Sequence, residues 1–336
     1  MSKSKSYFLQ YANRYEIDID IDNNFDTIQT TYSRLVHYSP KTSLLSFYDI
    51  LSLFVSTTPP QFPRLFQIAC SSQLFLALTT TMDLIFYAYY AHDKTAILIE
   101  QVSTDDEKSV VIHKIPNMDS SRDETEFYQL CSLDDGTIYF SQNCQLFSSS
   151  GVNDPLAILP CSIIKMSASK EHVLLLLSNG DVYSLGLGLH GALGHGDLEQ
   201  QTKPVKIERL QHVIDIACGG WHSLAVLNDH STFTWGWNCD GQLGIISDEN
   251  DDNDDVKGVY VEPTLLDLDC DSVYAGSRHS VFLSNGELYS CGLNKYGQLG
   301  FDDDSSFEPK QIVLDNNKMI SCVYCSTWTT LITCLE

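Results

Sequence analysis

One pattern of apolar and polar positions occurs three times in the C-terminal half of the chain. In each copy, an apolar run begins with histidine and is followed by a turn and a second run, which contains an aromatic residue and ends in glycine. A glycine-bounded loop then closes the unit. The copies are Glu171–Gly194, Trp221–Gly244 and Arg278–Gly300. Two of the turns contain Asn-Gly, a pair that suits the positive φ angles of tight hairpin turns. The pattern therefore predicts antiparallel β-hairpins.

The repeat period indicates a β-propeller. Gly194 and Gly244 lie 50 residues apart, whereas Gly244 and Gly300 lie 56 apart, and the excess matches an acidic insertion at Ser247–Lys257. Several short strands at a period of about fifty residues are typical of propeller blades and not of helical solenoids. We predict an all-β, seven-bladed propeller in a single domain over residues 1–336, with degenerate blades at about 12–160 and well-matched repeats at about 161–336.

The N-terminal half contains weaker copies of the same pattern. Ile68–Leu78 is similar to Ile216–Val226, and Ser132–Tyr139 is similar to the hairpin turns. The last repeat, Cys325–Ile332, stops after its first strands. Because an unpaired strand edge promotes aggregation, the missing outer strands must come from elsewhere in the chain. We predict that the β-rich segment Ser6–Tyr11 closes the C-terminal blade.

Composition and charge restrict the classes of partner. Apolar residues make up 43% of the chain, which is enough for a sizeable core. With 44 acidic and 20 basic residues, the net charge of -24 repels nucleic acid and favours a basic peptide such as a histone tail. No apolar stretch is long enough for a membrane span, and no secretory signal is seen. We expect a nuclear or cytoplasmic protein in a reducing compartment.

No motif for a metal, a cofactor or catalysis stands out. The eleven cysteines follow no framework spacing. Cys322 and Cys325 form a CxxC in a β-rich run, where residues three apart point to opposite faces of a sheet. Gly186–Gly191 fits GxGxxG, but it lies between hairpin strands and no helix follows. We therefore expect no catalytic residue, no metal and no cofactor.

The repeated motifs resemble those of the regulator of chromosome condensation repeat family. The resemblance rests on a His-Ser strand such as Trp221–Ser223, an aromatic-Gly strand such as Trp235–Asn238, and the Gly-x-Leu-Gly corner. Within the family the chain is most similar to a small nuclear member. That resemblance implies a non-catalytic scaffold that pairs with a JmjC-type oxygenase, a histone demethylase or hydroxylase, in chromatin regulation and chromosome segregation.

Two other functions stay open from the same resemblance. The founding member of the family is a guanine nucleotide exchange factor for the GTPase Ran, but no exchange-specific residue is matched in this chain. Another short propeller of the family is a partner of a small zinc protein in diphthamide and Elongator tRNA modification. These are the alternatives to the JmjC scaffold.

The repeat positions divide into structural residues and contact candidates. A histidine before an apolar strand normally gives its ring N–H to a buried carbonyl or hydroxyl, and corner glycines allow positive φ. The structural positions are His172, His222, His279, Gly186, Gly236, Gly292, Gly194, Gly244 and Gly300. Trp235 is aligned with Tyr183 and Tyr289 as a core residue. The candidates for partner binding, near blade ends, are Trp237, Asn238, Arg278 and Trp221.

Overall fold

The structure is a computed structural model. It describes the strands given below and the stretches 128–133, 137–148, 154–245, 258–303, 305–314 and 319–335; before residue 128 only the backbone of the strands is described. All regular elements in these parts are β-strands, in agreement with the all-β prediction. No helix of the described structure is long and apolar enough to cross a membrane.

The chain forms two compact units, Met1–Asp20 with Ile164–Glu336, and Ile21–Ile163. The division falls near the predicted change from degenerate to well-matched repeats. A single domain over residues 1–336 stays a prediction.

The strands up to the end of the second unit are β1 (Ser4–Gln10), β2 (Asn13–Ile17), β3 (Thr27–Thr30), β4 (Arg34–Ser39), β5 (Leu44–Asp49), β6 (Phe54–Thr57), β7 (Leu65–Cys70), β8 (Leu74–Thr79), β9 (Asp83–Tyr89), β10 (Ile97–Ile99), β11 (Ile112–Lys114), β12 (Tyr128–Ser132), β13 (Ile138–Gln142), β14 (Gln145–Ser148) and β15 (Ala157–Ile158). Strands β3 to β15 form three sheets, with the orders β3-β4-β5-β6, β7-β8-β9-β10 and β12-β13-β14-β15, and β11 pairs with β9.

The remaining strands are β16 (Ile163–Ala168), β17 (His172–Leu177), β18 (Val182–Gly186), β19 (Gln201–Lys206), β20 (Val213–Cys218), β21 (His222–Leu227), β22 (Thr232–Trp237), β23 (Val259–Leu266), β24 (Ser272–Ala275), β25 (His279–Ser284), β26 (Glu287–Leu293), β27 (Ser305–Ile312), β28 (Met319–Cys325) and β29 (Thr330–Leu335). They form three sheets in chain order, β16 to β19, β20 to β23 and β24 to β27. A fourth sheet has the order β2-β1-β29-β28.

The two ends of the chain therefore share one sheet. Strand β1 pairs antiparallel with β29, with Tyr7 opposite Ile332, and β2 follows as the outermost strand. The predicted N-terminal strand begins at Ser4 and ends at Gln10, and Tyr11 lies outside the described residues. A closed ring of seven blades stays a prediction.

The core of the first unit lies between successive sheets. One cluster joins Leu174 and Val182 of the β16–β19 sheet to Ile216 and Trp235 of the next sheet. A second joins Leu224 to Phe282 in the same way. Apolar side chains on both faces of the β20–β23 sheet are thus buried against a neighbouring sheet, which explains why β21 reads as an almost continuous apolar run.

The registers correct one alignment made from the sequence. Trp235 pairs with Ser223, whereas the equivalent pairs in the flanking sheets are Val173 with Leu185 and Ser280 with Cys291. Trp235 therefore corresponds to Leu185 and Cys291, and not to Tyr183 and Tyr289. Its indole is nevertheless fully buried, as expected of a core residue.

Candidate partner-binding site

A series of histidine hydrogen bonds, which we call the histidine ladder, links each of three sheets to the next. Each histidine Nε2 meets a hydroxyl of the next sheet, and that hydroxyl donates to a carbonyl of the preceding corner loop. The three steps are His172 to Ser223 (2.8 Å) to Ala192 O (2.8 Å), His222 to Ser280 (2.9 Å) to Gln242 O (2.6 Å), and His279 to Thr330 (3.0 Å) to Gln298 O (2.9 Å).

This geometry fixes the state of each ring. Because the hydroxyl donates its only proton to the carbonyl, it must accept a hydrogen bond from the histidine Nε2–H. In the neutral ring, Nδ1 therefore carries no proton. The rings are completely buried, and burial lowers the pKa of His172 to about 4 and the pKa of His222 and His279 to about 3. The histidines are neutral structural donors with hydroxyl acceptors, one of the two acceptor types expected from the sequence.

In three of the sheets, a glycine at or next to the end of the third strand brings two loops together. Gly186, Gly236 and Gly292 have φ of 120°, 101° and 108°. A Cβ on Gly236 would lie 2.6 Å from Trp221 O. The next residue, Trp237, donates its backbone N–H to that same oxygen at 2.9 Å. The glycine thus lets Trp221 and Trp237 stand side by side at one end of the sheet.

The two tryptophans form the centre of a half-buried surface cluster. Their rings meet edge to face, with centroids 5.4 Å apart. The imidazole of His190, from the corner loop of the preceding sheet, lies 5.7 Å from the Trp221 ring and 5.9 Å from the Trp237 ring. Lys170 Nζ lies 4.1 Å above the Trp221 ring.

Arg278 completes the cluster from the following sheet. Its guanidinium carbon lies 4.8 Å from the Trp237 centroid and 5.3 Å from the Trp221 centroid, and Nη1 pairs with Asp240 at 3.3 Å. About a third of the Arg278 side chain is exposed (32%). We call the group Lys170, His190, Trp221, Trp237, Asp240 and Arg278 the aromatic shelf.

One contact recurs at this end of three successive sheet boundaries. The residue before a Gly-x-Leu-Gly corner touches the residue that ends the first hairpin turn of the next sheet. The pairs are His190 with Trp221, Asp240 with Arg278 (3.3 Å), and Tyr296 with Trp328, whose rings are 5.4 Å apart. The last pair, with exposed Lys295 beside Tyr296, is the equivalent contact at the boundary with the C-terminal sheet, and we call it the extension of the shelf.

Three of the four residues predicted to contact a partner lie together in the structure, whereas the fourth is buried. Trp221, Trp237 and Arg278 share the shelf. Asn238 is a correction, because its side chain is only 4% exposed and is used within its own loop. Its Oδ1 accepts from Leu243 N at 2.9 Å and its Nδ2 donates to Ile245 O at 3.0 Å.

Sequence reasoning missed His190, Asp240 and Lys170. The first two directly precede Gly191 and Gly241, so they occupy one repeat position that the corner motif itself marks. Their partners, however, lie in the next sheet. Hydrophobic periodicity identifies a strand but does not give this contact between sheets.

Two arrangements resemble reactive sites but have structural roles. Ser184 Oγ lies 2.9 Å from His195 Nε2, yet this buried hydroxyl donates to Leu193 O at 2.8 Å, as Thr234 and Ser290 do to the equivalent carbonyls. In the CxxC, burial raises the pKa of Cys325 to about 12. Among the described residues, no group of three potential ligands is placed to hold a metal.

Comparison with known families supports the repeat assignment. The family model described as regulator of chromosome condensation (RCC1) repeat matches residues 179–226, 229–283 and 285–332. A second model of the same repeat matches residues 213–242 and 270–298.

Among curated proteins, the chain is similar to RCC1 domain-containing protein 1 of Homo sapiens, with 34% identity over 211 residues, 51% of this chain and 56% of that protein. It is also 33% identical over 178 residues to E3 ubiquitin-protein ligase HERC2 of Mus musculus, covering 49% of this chain and 4% of HERC2. The match thus spans little more than half the length of the human RCC1 domain-containing protein 1.

Solved structures show the same fold. Prp20p from Saccharomyces cerevisiae, described with its binding to Gsp1p and histones, matches with a TM-score of 0.72 and 17% identity, over 100% of this chain and 92% of that chain. Human WBSCR16 matches with a TM-score of 0.73 and 14% identity, over 98% of each chain. At these identities the likeness establishes the β-propeller fold alone.

Proposed function

Residues 179–332 belong to the regulator of chromosome condensation (RCC1) repeat family, and from this premise we propose that the chain is a non-catalytic β-propeller scaffold that binds a protein partner on the aromatic shelf. The observation that carries the proposal is the shelf itself. Trp221, Trp237 and Arg278 come from two sheets and meet at one end of both.

The shelf has the composition and rigidity of a binding hot spot. Trp and Arg are enriched among the residues that dominate interface energies. Three shelf residues are held before any partner arrives: the backbone of Trp237 by its hydrogen bond to Trp221 O, Arg278 by its ion pair with Asp240, and His190 by Glu171, whose Oε2 lies 3.5 Å from Nδ1. Little side-chain entropy is left to lose on binding, which favours affinity.

The partner that we propose is a JmjC-type oxygenase, in chromatin regulation and chromosome segregation. Support comes from the 34% identity to human RCC1 domain-containing protein 1 and from the resemblance of Trp221–Ser223 and Trp235–Asn238 to the small nuclear member of the family. A scaffold of this kind needs no reactive centre of its own. The propeller positions the partner enzyme, and the partner carries the chemistry.

Affinity capture from nuclear extract tests the proposal. The full chain should enrich a JmjC protein, and the double variant Trp221→Ala/Trp237→Ala should lose at least about 90% of it, since hot-spot truncations cost ~2–4 kcal/mol each. The matched control is Phe307→Ala, which removes an aromatic ring that is 47% exposed on β27 and outside the shelf.

Three outcomes would contradict the proposal. Recovery of a Ran-like GTPase whose nucleotide release the chain accelerates would favour exchange activity. Recovery of a small zinc protein would favour the tRNA-modification role. Equal capture by the double variant and the wild type would place binding somewhere other than the shelf.

A further inference from the structure

We propose that the partner segment that docks on the aromatic shelf is acidic, with one or more carboxylates next to an apolar anchor. This inference rests on the proposed function and adds the chemistry of the ligand. It differs from the expectation, drawn from net charge, that the chain as a whole attracts basic peptides.

The chain's own cations already occupy the aromatic faces. The face of an indole is the negative part of its quadrupole, and the edge is the positive part. Lys170 Nζ lies 4.1 Å above Trp221, and the Arg278 guanidinium lies 4.8 Å from Trp237. A lysine or arginine of a partner that stacked on these occupied faces would have to displace these groups. A carboxylate, in contrast, is attracted both by the cations and by the ring edges.

The local charge balance points the same way. The shelf and its extension carry three cations, Lys170, Arg278 and Lys295. Two carboxylates adjoin them: that of Asp240 is paired with Arg278, and that of Glu171 lies 3.5 Å from His190 Nδ1. Among the described residues, neither Lys170 nor Lys295 has a carboxylate partner, and both sit beside an aromatic ring. In a chain with a net charge of -24, Lys170 beside Trp221 and Lys295 beside Tyr296 are therefore local positive charges that no carboxylate of the described residues neutralises.

An apolar anchor site adjoins these charges. Leu189 is 64% exposed and directly precedes His190 in the corner loop. Its side chain and the exposed parts of the two indoles offer apolar area near Lys170, which lies over the Trp221 ring. A segment that alternates acidic and large apolar residues satisfies both features, because buried apolar contacts supply affinity and rim charges supply steering and specificity.

Site-specific cross-linking identifies the docked segment directly. The photoreactive residue p-benzoylphenylalanine replaces Leu189 in the full chain, and a control chain carries it at exposed Asn228, in the hairpin turn at the opposite end of its sheet. After irradiation in nuclear extract, we expect the peptide linked from position 189 to be rich in Asp and Glu. A linked peptide rich in Lys and Arg would overturn the inference and leave the proposed function intact.

Charge reversal supplies the second measurement, on the purified partner found in that way. Lys170→Glu and Lys295→Glu should each weaken binding by about fivefold or more at low salt and much less at high salt, because exposed charges are screened. The matched control is Lys203→Glu, which reverses an exposed lysine on β19. Equal affinity for all three variants and wild type would overturn the inference. Absence of any cross-link from position 189, with capture retained, would instead refute the shelf as the partner site.

Discussion

Trp235 donates its indole N–H to the carbonyl oxygen of Ala192 across the boundary between two sheets, at 2.8 Å. The same oxygen also accepts from Ser223 Oγ at 2.8 Å. One carbonyl of a corner loop is therefore held by two donors of the next sheet. This contact, together with the histidine ladder, couples the position of a loop to the packing of the core.

Substitutions of Trp235 should separate the bond from the packing. Trp235→Phe should lower the free energy of unfolding by about 1–2 kcal/mol, since Ala192 O keeps its bond from Ser223 and is not left unpaired. Trp235→Ala should cost about 3–5 kcal/mol, because it empties a fully buried site. Urea unfolding measures both, with half-buried Trp237→Ala as the control. If Trp237→Ala were as destabilising as Trp235→Ala, the shelf would be part of the core.

Two glycines with the same backbone angle should respond differently to alanine. Gly194 and Gly286 have φ of 79° and 80°. A Cβ on Gly286 meets nothing within 4 Å, whereas a Cβ on Gly194 would lie 2.8 Å from Trp235 Nε1. We expect Gly286→Ala to cost about 1 kcal/mol for the angle alone, and Gly194→Ala to cost a further ~1–3 kcal/mol for overpacking. Thermal and urea unfolding compare them, and equal losses would refute the close packing of the corner on the indole.

The histidine ladder predicts a loss of stability in mild acid. The unfolded histidines bind protons below about pH 6.5, whereas the native rings resist protonation until about pH 4 for His172 and about pH 3 for His222 and His279. Between those limits the unfolded state binds more protons. The free energy of unfolding should therefore fall with decreasing pH by up to ~1.4 kcal/mol per pH unit for each histidine.

Urea unfolding at pH 7.5 and pH 5.0 measures this dependence. His222→Gln keeps a donor toward Ser280 but cannot be protonated, so its profile should be flatter than that of the wild type by about one proton. Identical profiles would mean that His222 does not resist protonation in the native state.

Removal of residues 1–12 should destabilise the C-terminal sheet. The deletion removes β1, which pairs with β29 from Ser4 opposite Leu335 to Leu9 opposite Thr330. It leaves β29 as an unpaired edge, which favours aggregation. The loss should amount to several kcal/mol if three or four apolar side chains of this strand are buried at ~1.5–3 kcal/mol each. A shorter deletion of residues 1–3, which precede β1, is the control. An unchanged melting temperature in the longer deletion would argue against closure of the ring by the N-terminus.

The sequence pattern predicts the local structure of each repeat better than it predicts the contacts between sheets. Hairpin turns and corner glycines follow from sequence because positive φ and strand periodicity are local properties. The sequence similarity of Ile68–Leu78 to Ile216–Val226 extends to the strand pairing. The β7–β8 pair shifts register after Leu65, and the β20–β21 pair shifts register at the equivalent position, after Val213. When the repeats are aligned on Gly186 and Gly236, Trp235 occupies the same repeat position as Leu185.

The geometry of the aromatic shelf likewise follows only in part from the sequence. Trp221 directly precedes β21 and Trp237 ends β22, its pairing partner, so their proximity follows from one hairpin. The approach of Arg278 and His190 depends on the rotation from one sheet to the next, which no single repeat encodes. The position of Asn238 after a strand predicts an exposed side chain, whereas its amide lies inside the loop and bonds to Leu243 N and Ile245 O.

Hydroxyl-radical footprinting of the full chain, with and without the captured partner, tests the shelf as the partner site most directly. Oxidation is read by mass spectrometry at Trp221 and Trp237, which are half-buried in the free chain, and at Phe307, which lies outside the shelf. No substitution is needed, so folding defects cannot imitate the result. We predict that the partner protects both tryptophans and leaves the oxidation rate of Phe307 unchanged. Tryptophans that oxidise at the same rate in the saturated complex as in the free chain would contradict the account.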